Sequence, residues 1–354
     1  MATPGLDRRP LVWALLLLLL VAGAVLHVRA WAPDLTGRDI YYTYVEGQRL
    51  VAGENPYARV LDGDPRKNRK YATYLPVFYE LSALTQVTGL REFPRWMGFW
   101  RVVFLLFVLG TGALIFARLL RSGLLALAVL GASLWLFNRW GLTVSRYGNL
   151  DFIPIFLLLL SLWLLPRRRL LALLLFGLSL GLKQIGVLVL PLYLIWVWRE
   201  PGDRPLRRVA LAALAIAAIP LASALPFVVW NAPGFVRSLL ISVTRNPESF
   251  LGAFAAGDVL GLVGVPAKIP MAALLLLTYL LAWQGKIGRH AAVLLVMVTF
   301  IDFNSVLFSQ YLIWLVPFIP LAVGEWMEGR ETAATAAAVA PRAPEPADGG
   351  EARR

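Results

Sequence analysis

The sequence predicts an all-α protein that crosses a membrane several times. Three observations carry that expectation. Of 354 residues, 59% are hydrophobic and only 16% charged, and mean hydropathy is +0.68. Apolar runs at 11–28, 99–120 and 206–229 approach or exceed the ~20 helical residues that a hydrocarbon core requires. A formal net charge of +13 would suit a nucleic-acid binder, but the basic residues fall between hydrophobic runs, where they set topology. The chain has no cysteine, which removes disulfide and thiolate chemistry.

Hydropathy places spans at roughly 11–29, 99–119, 124–140, 151–165, 170–183, 185–198, 206–230, 262–284, 291–309 and 311–327. The first is read as an anchor, because no clear small-residue cleavage site follows it. Arg8 and Arg9 precede it. Arg118 and Arg121 follow the second span, Arg167, Arg168 and Arg169 the fourth, and Arg199, Arg204, Arg207 and Arg208 the sixth. Lys286, Arg289 and His290 complete the series. With all of these in the cytoplasm, the positive-inside rule is met by one threading that puts both termini inside and residues 31–98 outside. Arg66, Lys67, Arg69 and Lys70 in that loop do not offend the rule, since long loops translocate largely regardless of charge.

The pair 170–183 and 185–198 is short for two full crossings at 1.5 Å per residue. A shallow hairpin with Lys183 near the outer face satisfies the threading, whereas one long kinked helix would invert everything after it. The hairpin is preferred. Residues 330–354, rich in Ala with Pro341, Pro344 and Pro346, are expected to form a disordered cytoplasmic tail behind an integral-membrane domain of 1–329. No internal repeat is apparent.

Under this threading polar residues collect on one face. They are Asp39 with Tyr41, Tyr42 and Tyr44; Asn55-Pro56-Tyr57; Tyr74-Leu75-Pro76; Arg101; Ser145-Arg146-Tyr147-Gly148-Asn149-Leu150-Asp151; Lys183; the segment 231–258; and Gln310-Tyr311. The other face carries little beyond basic residues. An acid in an aromatic run where a helix meets water suits a reaction site better than packing, and a one-sided site suits an enzyme of a lipid-linked substrate.

The order of an outer-loop Asp39, Gly47, Gly53-Glu54-Asn55-Pro56-Tyr57, Tyr74-Leu75-Pro76, Gly148-Asn149-Leu150-Asp151 and Gly177-Leu178-Ser179-Leu180-Gly181-Leu182-Lys183 resembles the GT-C integral-membrane glycosyltransferases. It is most similar to the bacterial family 87 (DUF2029-type) polyprenol-phosphate-mannose-dependent α-mannosyltransferases, over about residues 31–320. Where such families often show Tyr-Pro-Pro, this chain has Tyr74-Leu75-Pro76. The resemblance implies a GT-C-like bundle of about ten spanning or half-spanning helices with short interfacial helices in the first outer loop. It implies a multi-pass protein of the bacterial plasma membrane with an extracytoplasmic active site. It implies hexosyl, by analogy mannosyl, transfer from a polyprenyl-phosphate sugar to a glycolipid or glycan acceptor, with no metal and no cofactor beyond that donor.

A glycosyl phosphate carries its own leaving group, so one carboxylate acting as base suffices for inverting attack by an acceptor hydroxyl. The resemblance puts Asp39 in that role. Lys183 and Arg146, with Arg101 and Arg38 as weaker candidates, are cations suited to the departing phosphate; Tyr41, Tyr42, Tyr57, Tyr74, Asn149, Asp151, Gln310 and Tyr311 complete the candidate substrate site. Each has a plainer alternative that stays open at this level. Asp39 begins a surface helix read at 39–52 and suits its macrodipole; the tyrosines suit an interfacial belt; Lys183 suits snorkelling; and Asp151 suits an N-cap. Arg66 to Lys70 read as a solvated, lipid-facing patch, and Asp62-Gly63-Asp64 as a turn rather than a metal motif. Asp302 with Asn304 and Ser305 reads as cavity lining or an internal pair. The competing class is a transporter or flippase, favoured by the many spans, the broken helix at Lys183 and a buried Asp302, and opposed by the long outer loop and the one-sided polarity. A third class is a non-catalytic scaffold, which would not depend on Asp39.

Overall fold

The computed structural model describes residues 9–63, 70–244, 256–259, 261–262, 266–303 and 308–339, and the described residues contain helices and no strand. The chain is a polytopic helical membrane protein. Stretches long and apolar enough to cross a bilayer are Pro10–Ala30, Phe93–Arg121, Leu125–Tyr147, Pro205–Ile241 and Gln310–Arg330, joined by shorter apolar helices.

The first span, α1 (Arg9–Ala30), is apolar all round, the pattern of a lipid-embedded helix. Its one internal polar group is paired: the His27 ring meets Ser145 Oγ at 2.5 Å and the Leu136 carbonyl at 3.0 Å. Among its described residues the first loop holds three short helices, α2 (Asp39–Val51), α3 (Arg59–Asp62) and α4 (Val77–Val87). In α2 the buried residues Ile40, Thr43, Tyr44 and Gly47 recur at the spacing of one helical face. That face packs on α4, where Gln86 donates to the Tyr44 carbonyl at 2.9 Å.

The second span, α5 (Phe93–Arg121), begins six residues before the expected 99, with Pro94 in its first turn as helix starts favour. The expected span 124–140 is instead two helices, α6 (Leu125–Phe137) and α7 (Arg139–Tyr147). Asn138 causes the break: its backbone is extended and its Oδ1 accepts from the Gly141 N–H at 2.6 Å, an N-cap that starts a new helix. Gly148, at φ +63°, ends α7 in the left-handed conformation that glycine adopts without strain and turns the chain into Asn149-Leu150-Asp151.

After α8 (Phe152–Leu164) come α9 (Arg169–Leu182), a 3₁₀ turn (Gln184–Val189) and α10 (Leu190–Arg199). They form a hairpin. The Arg169 guanidinium donates to the Glu200 carboxylate, so the two ends remote from Lys183 meet, and the Phe176 and Tyr193 rings stack at 4.2 Å. Lys183, extended at φ −155° and ψ 117°, is the apex. The single kinked helix is thereby excluded.

Helix α11 (Pro205–Thr244) bends at Asn231, where φ is −159° and three prolines flank the bend. Beyond it the chain lies on the first loop: Phe235 packs on Tyr57 at 4.8 Å and Ser238 donates to the Ala72 carbonyl at 2.7 Å. The short α12 (Ala256–Val259) precedes α13 (Ile269–Gln284), shorter than the expected 262–284, and α14 (Arg289–Phe303), which begins two residues before the expected 291. A 3₁₀ turn (Ser309–Trp314) then leads to α15 (Phe318–Val339). This last helix runs on past residue 330, into the segment expected to be a disordered tail; residues 340–354 lie outside the described residues. At the end of the bundle away from the first loop, Arg118 pairs with Glu328 at 2.8 Å and His290 with Glu325 at 2.8 Å.

Candidate functional site

A cleft opens where the first loop, the start of α8 and the hairpin apex converge. Asp39, Ile40, Thr43, Tyr74, Asn149, Leu150, Asp151, Lys183 and Gln310 line it. Six of these nine come from the residues singled out by sequence, drawn from five stretches of chain between 39 and 310.

Asp39 is the first residue of α2 and the acid of its first turn, after Arg38 at the N-cap; its side chain, half-exposed, receives the Lys70 ammonium at 2.5 Å. Lys70 also lies 5.2 Å from the centre of the Tyr42 ring. Lys70 is thus not simply part of a lipid-facing patch, and Arg66 to Arg69 lie outside the described residues. The segment carrying Lys70 and Tyr74 is held to the hairpin, since Gln184 donates to the Thr73 carbonyl at 2.7 Å. Tyr57 holds it from behind: fully buried, it donates its hydroxyl to the Tyr74 carbonyl at 2.7 Å. Burial pushes the Tyr57 and Tyr79 hydroxyls well above the ordinary tyrosine range, so both stay protonated.

At the base of the cleft Lys183 Nζ donates to Asp151 Oδ1 at 2.6 Å, with side-chain exposures of 3% and 0%. The Trp314 indole N–H donates to the same oxygen at 2.7 Å. The ring centres of Tyr74 and Tyr311 stand 5.6 and 6.0 Å from the ammonium, a cation–π setting that stabilises a desolvated charge. Asn149 Nδ2 donates to Gln310 Oε1 at 2.5 Å, tying the segment before α8 to the turn before α15. Asp151 precedes α8 without capping it through its side chain, so the N-cap explanation fails for this residue. Lys183 does not snorkel outward either; it is buried against its counter-ion.

Other candidates stand apart from the cleft. The Arg146 side chain is exposed, and its carbonyl accepts from the Ala32 N–H at 3.2 Å. Arg101 donates to the Ala32 carbonyl and covers Trp31 at 5.5 Å, which makes it a clasp between α1 and α5. Arg38 lies over Tyr147 at 4.8 Å. Tyr41 sets its edge against Phe93 at 5.0 Å, in an aromatic cluster beside the cleft. Asp302 is exposed at the end of α14, which removes the buried acid that the transporter reading used; Asn304 and Ser305 lie outside the described residues. Asp62 closes α3 ahead of Gly63, and Asp64 also lies outside them. Lys70 and Trp314 are the partners of Asp39 and Asp151 that the sequence did not single out. The first was absorbed in a basic run and the second in an apolar span, and neither carries a local signal of its partner.

No family model matches the chain, and no solved structure matches it. Among curated proteins it is similar to GPI mannosyltransferase 1 of Kluyveromyces lactis, 26% identical over 270 residues that cover 72% of this chain and 67% of that protein. It is also similar to GPI mannosyltransferase 1 of Saccharomyces cerevisiae, 23% identical over 327 residues, 82% of this chain and 73% of that protein.

Proposed function

We propose that this chain is a membrane-embedded mannosyltransferase that moves a mannosyl unit from a polyprenyl-phosphate sugar to a glycolipid or glycan hydroxyl. The observation that carries the reading is the cleft itself. A half-exposed carboxylate, Asp39, shares it with a buried cation, Lys183, at the end of the bundle where the first loop lies. Similarity to two relatives named mannosyltransferases supports the transfer chemistry and the sugar. The motif order that resembles family 87 supports the lipid-phosphate donor and a cleft facing away from the cytoplasm.

In this mechanism the acceptor oxygen attacks the anomeric carbon from the face opposite the phosphate and forms the new C–O bond. The bond from that carbon to the phosphate oxygen breaks, its electron pair staying with the phosphate, and the acceptor proton passes to the Asp39 carboxylate. The product has inverted configuration. A carboxylate accepts about four hydrogen bonds, so the Lys70 contact on Oδ1 leaves Asp39 room for the hydroxyl. Lys183 has three N–H donors and uses one on Asp151, which leaves donors for the charge that builds on the departing phosphate.

The test is transfer from radiolabelled polyprenyl-phosphate mannose in membranes carrying the wild type or Asp39→Asn. A general base contributes about 10²–10⁴-fold, and a loss of that size is expected. Transfer at the wild-type rate by the variant would remove Asp39 from the role.

A further inference from the structure

The Asp151 carboxylate at the base of the cleft is only half used. Its Oδ1 accepts from both the Lys183 ammonium and the Trp314 indole, at 2.6 and 2.7 Å. Its Oδ2 is buried and meets no hydrogen-bond donor among the described residues. A buried acceptor left unpaired keeps its full desolvation penalty, larger still when it is charged, so the site gains when a ligand brings a donor to that oxygen.

The chemistry of the donor is restricted. A phosphate oxygen in direct contact with Oδ2 is repelled, whereas a hydroxyl donates to it. Neither Lys183 nor Asp151 has more than 3% of its side chain exposed, so the base of the cleft suits a hydroxyl rather than a whole ring. Position restricts it further. Lys183 Nζ and Asp151 Oδ1 are 2.6 Å apart, so a phosphate oxygen held by the first and a hydroxyl held by the second oxygen of Asp151 belong to neighbouring groups of one ligand. In a glycosyl phosphate the hydroxyl closest to the phosphate along the ring is the one on C2, next to the anomeric carbon.

Resting on the glycosyl-phosphate reading above, we propose that Asp151 Oδ2 accepts a hydrogen bond from the 2-hydroxyl of the donor sugar and so reads the configuration at C2. Trp314 is a positioning residue: by occupying Oδ1 together with Lys183, it reserves Oδ2 for the ligand. The same turn carries Gln310, clasped to Asn149 at 2.5 Å, so the segments 149–151 and 310–314 are joined twice and form one polar wall.

The experiment uses the full chain in nanodiscs with three donors: polyprenyl-phosphate mannose, its 2-deoxy analogue and its glucose epimer at C2. Wild type is expected to use both alternatives at least about 100-fold less well in kcat/KM, since sites built around a substrate hydroxyl reject ligands that lack it strongly. Trp314→Phe, which keeps the ion pair, is expected to shrink that ratio about tenfold, mainly through poorer use of the mannosyl donor. A purely structural loss would lower all donors alike and would overturn the assignment, as would equal use of the 2-deoxy donor by wild type. Calorimetry with soluble mannosyl phosphate and its 2-deoxy form separates the two readings. Preference for the 2-hydroxyl form without any transfer sinks the transferase reading and keeps this one; transfer without preference does the reverse.

Discussion

Lys183 and Asp151, 32 positions apart in sequence, meet at 2.6 Å with both side chains out of solvent. Breaking a buried pair by removing one partner typically costs about 3–5 kcal/mol, because the other charge is left uncompensated, whereas replacing both by apolar groups is often tolerated. Asp151→Ala is therefore expected to lower thermal stability in detergent by that order, and Asp151→Leu with Lys183→Met to recover most of it. Unfolding of Asp151→Ala at the wild-type temperature would contradict the pair's role. The Asp39 pair with Lys70 is half-exposed, and such pairs contribute little, so Asp39→Asn should lose transfer while keeping its unfolding temperature.

The absence of cysteine makes single-cysteine labelling direct. Lys183 is too buried for such a probe, but Lys70, beside Asp39 and 37% exposed, reports the side of the cleft. A membrane-impermeant maleimide is expected to label Lys70→Cys from the extracytoplasmic side and Arg121→Cys only after the cytoplasmic side is opened. The reverse pattern would invert the orientation.

Glu46, on the buried face of α2, is held by Arg59 at 2.8 Å and Arg49 at 3.4 Å. Burial nonetheless lifts its carboxyl from an ordinary 4.5 to about 7, against the pull of both guanidinium groups and with a small push from Glu54. The folded loop thus keeps a proton that the unfolded chain releases near pH 4.5. The stabilisation is complete below that pH and is lost as pH rises through about 7. Hydrogen exchange of residues 39–51 is expected to slow as pH is lowered from 8 to 5, after correction for intrinsic rates, and Glu46→Gln to flatten the trend. An equal trend in the variant would assign it elsewhere.

Helix α9 crosses α11 at Gly177, where a Cβ would lie 2.3 Å from the Ile216 carbonyl oxygen. Backbone cannot swing aside as a side-chain tip does, so Gly177→Ala is expected to cost about 1–3 kcal/mol by overpacking. A thermal unfolding temperature equal to wild type would show that the two helices separate freely.

The membrane class and the approximate spans were legible because hydropathy is a local sum over adjacent residues. The segregation of basic residues to one end was legible for the same reason. The short first-loop helix was legible at 39–52 and stands at Asp39–Val51; its buried face of Ile40, Thr43, Tyr44 and Gly47 is known from packing. Asn138 was missed as a break because one polar residue barely alters an apolar window, although its side chain caps a new helix. Arg146, Arg101 and Tyr57 shared the composition of site residues, and only packing assigned them to an exposed surface, a clasp on Ala32 and a buried brace.

By itself the sequence determined that this is a many-helix membrane protein whose polar chemistry lies at one end, with Asp39 and Lys183 among its candidates. Tertiary structure alone decided which groups face each other. It closed the hairpin through Arg169 and Glu200, set Lys70 on Asp39, and brought Trp314 to Asp151 across 163 positions. The physical reason is range. Solvation preference is written residue by residue, but the pairing of a buried charge depends on which distant helices share a surface, and no local pattern records that.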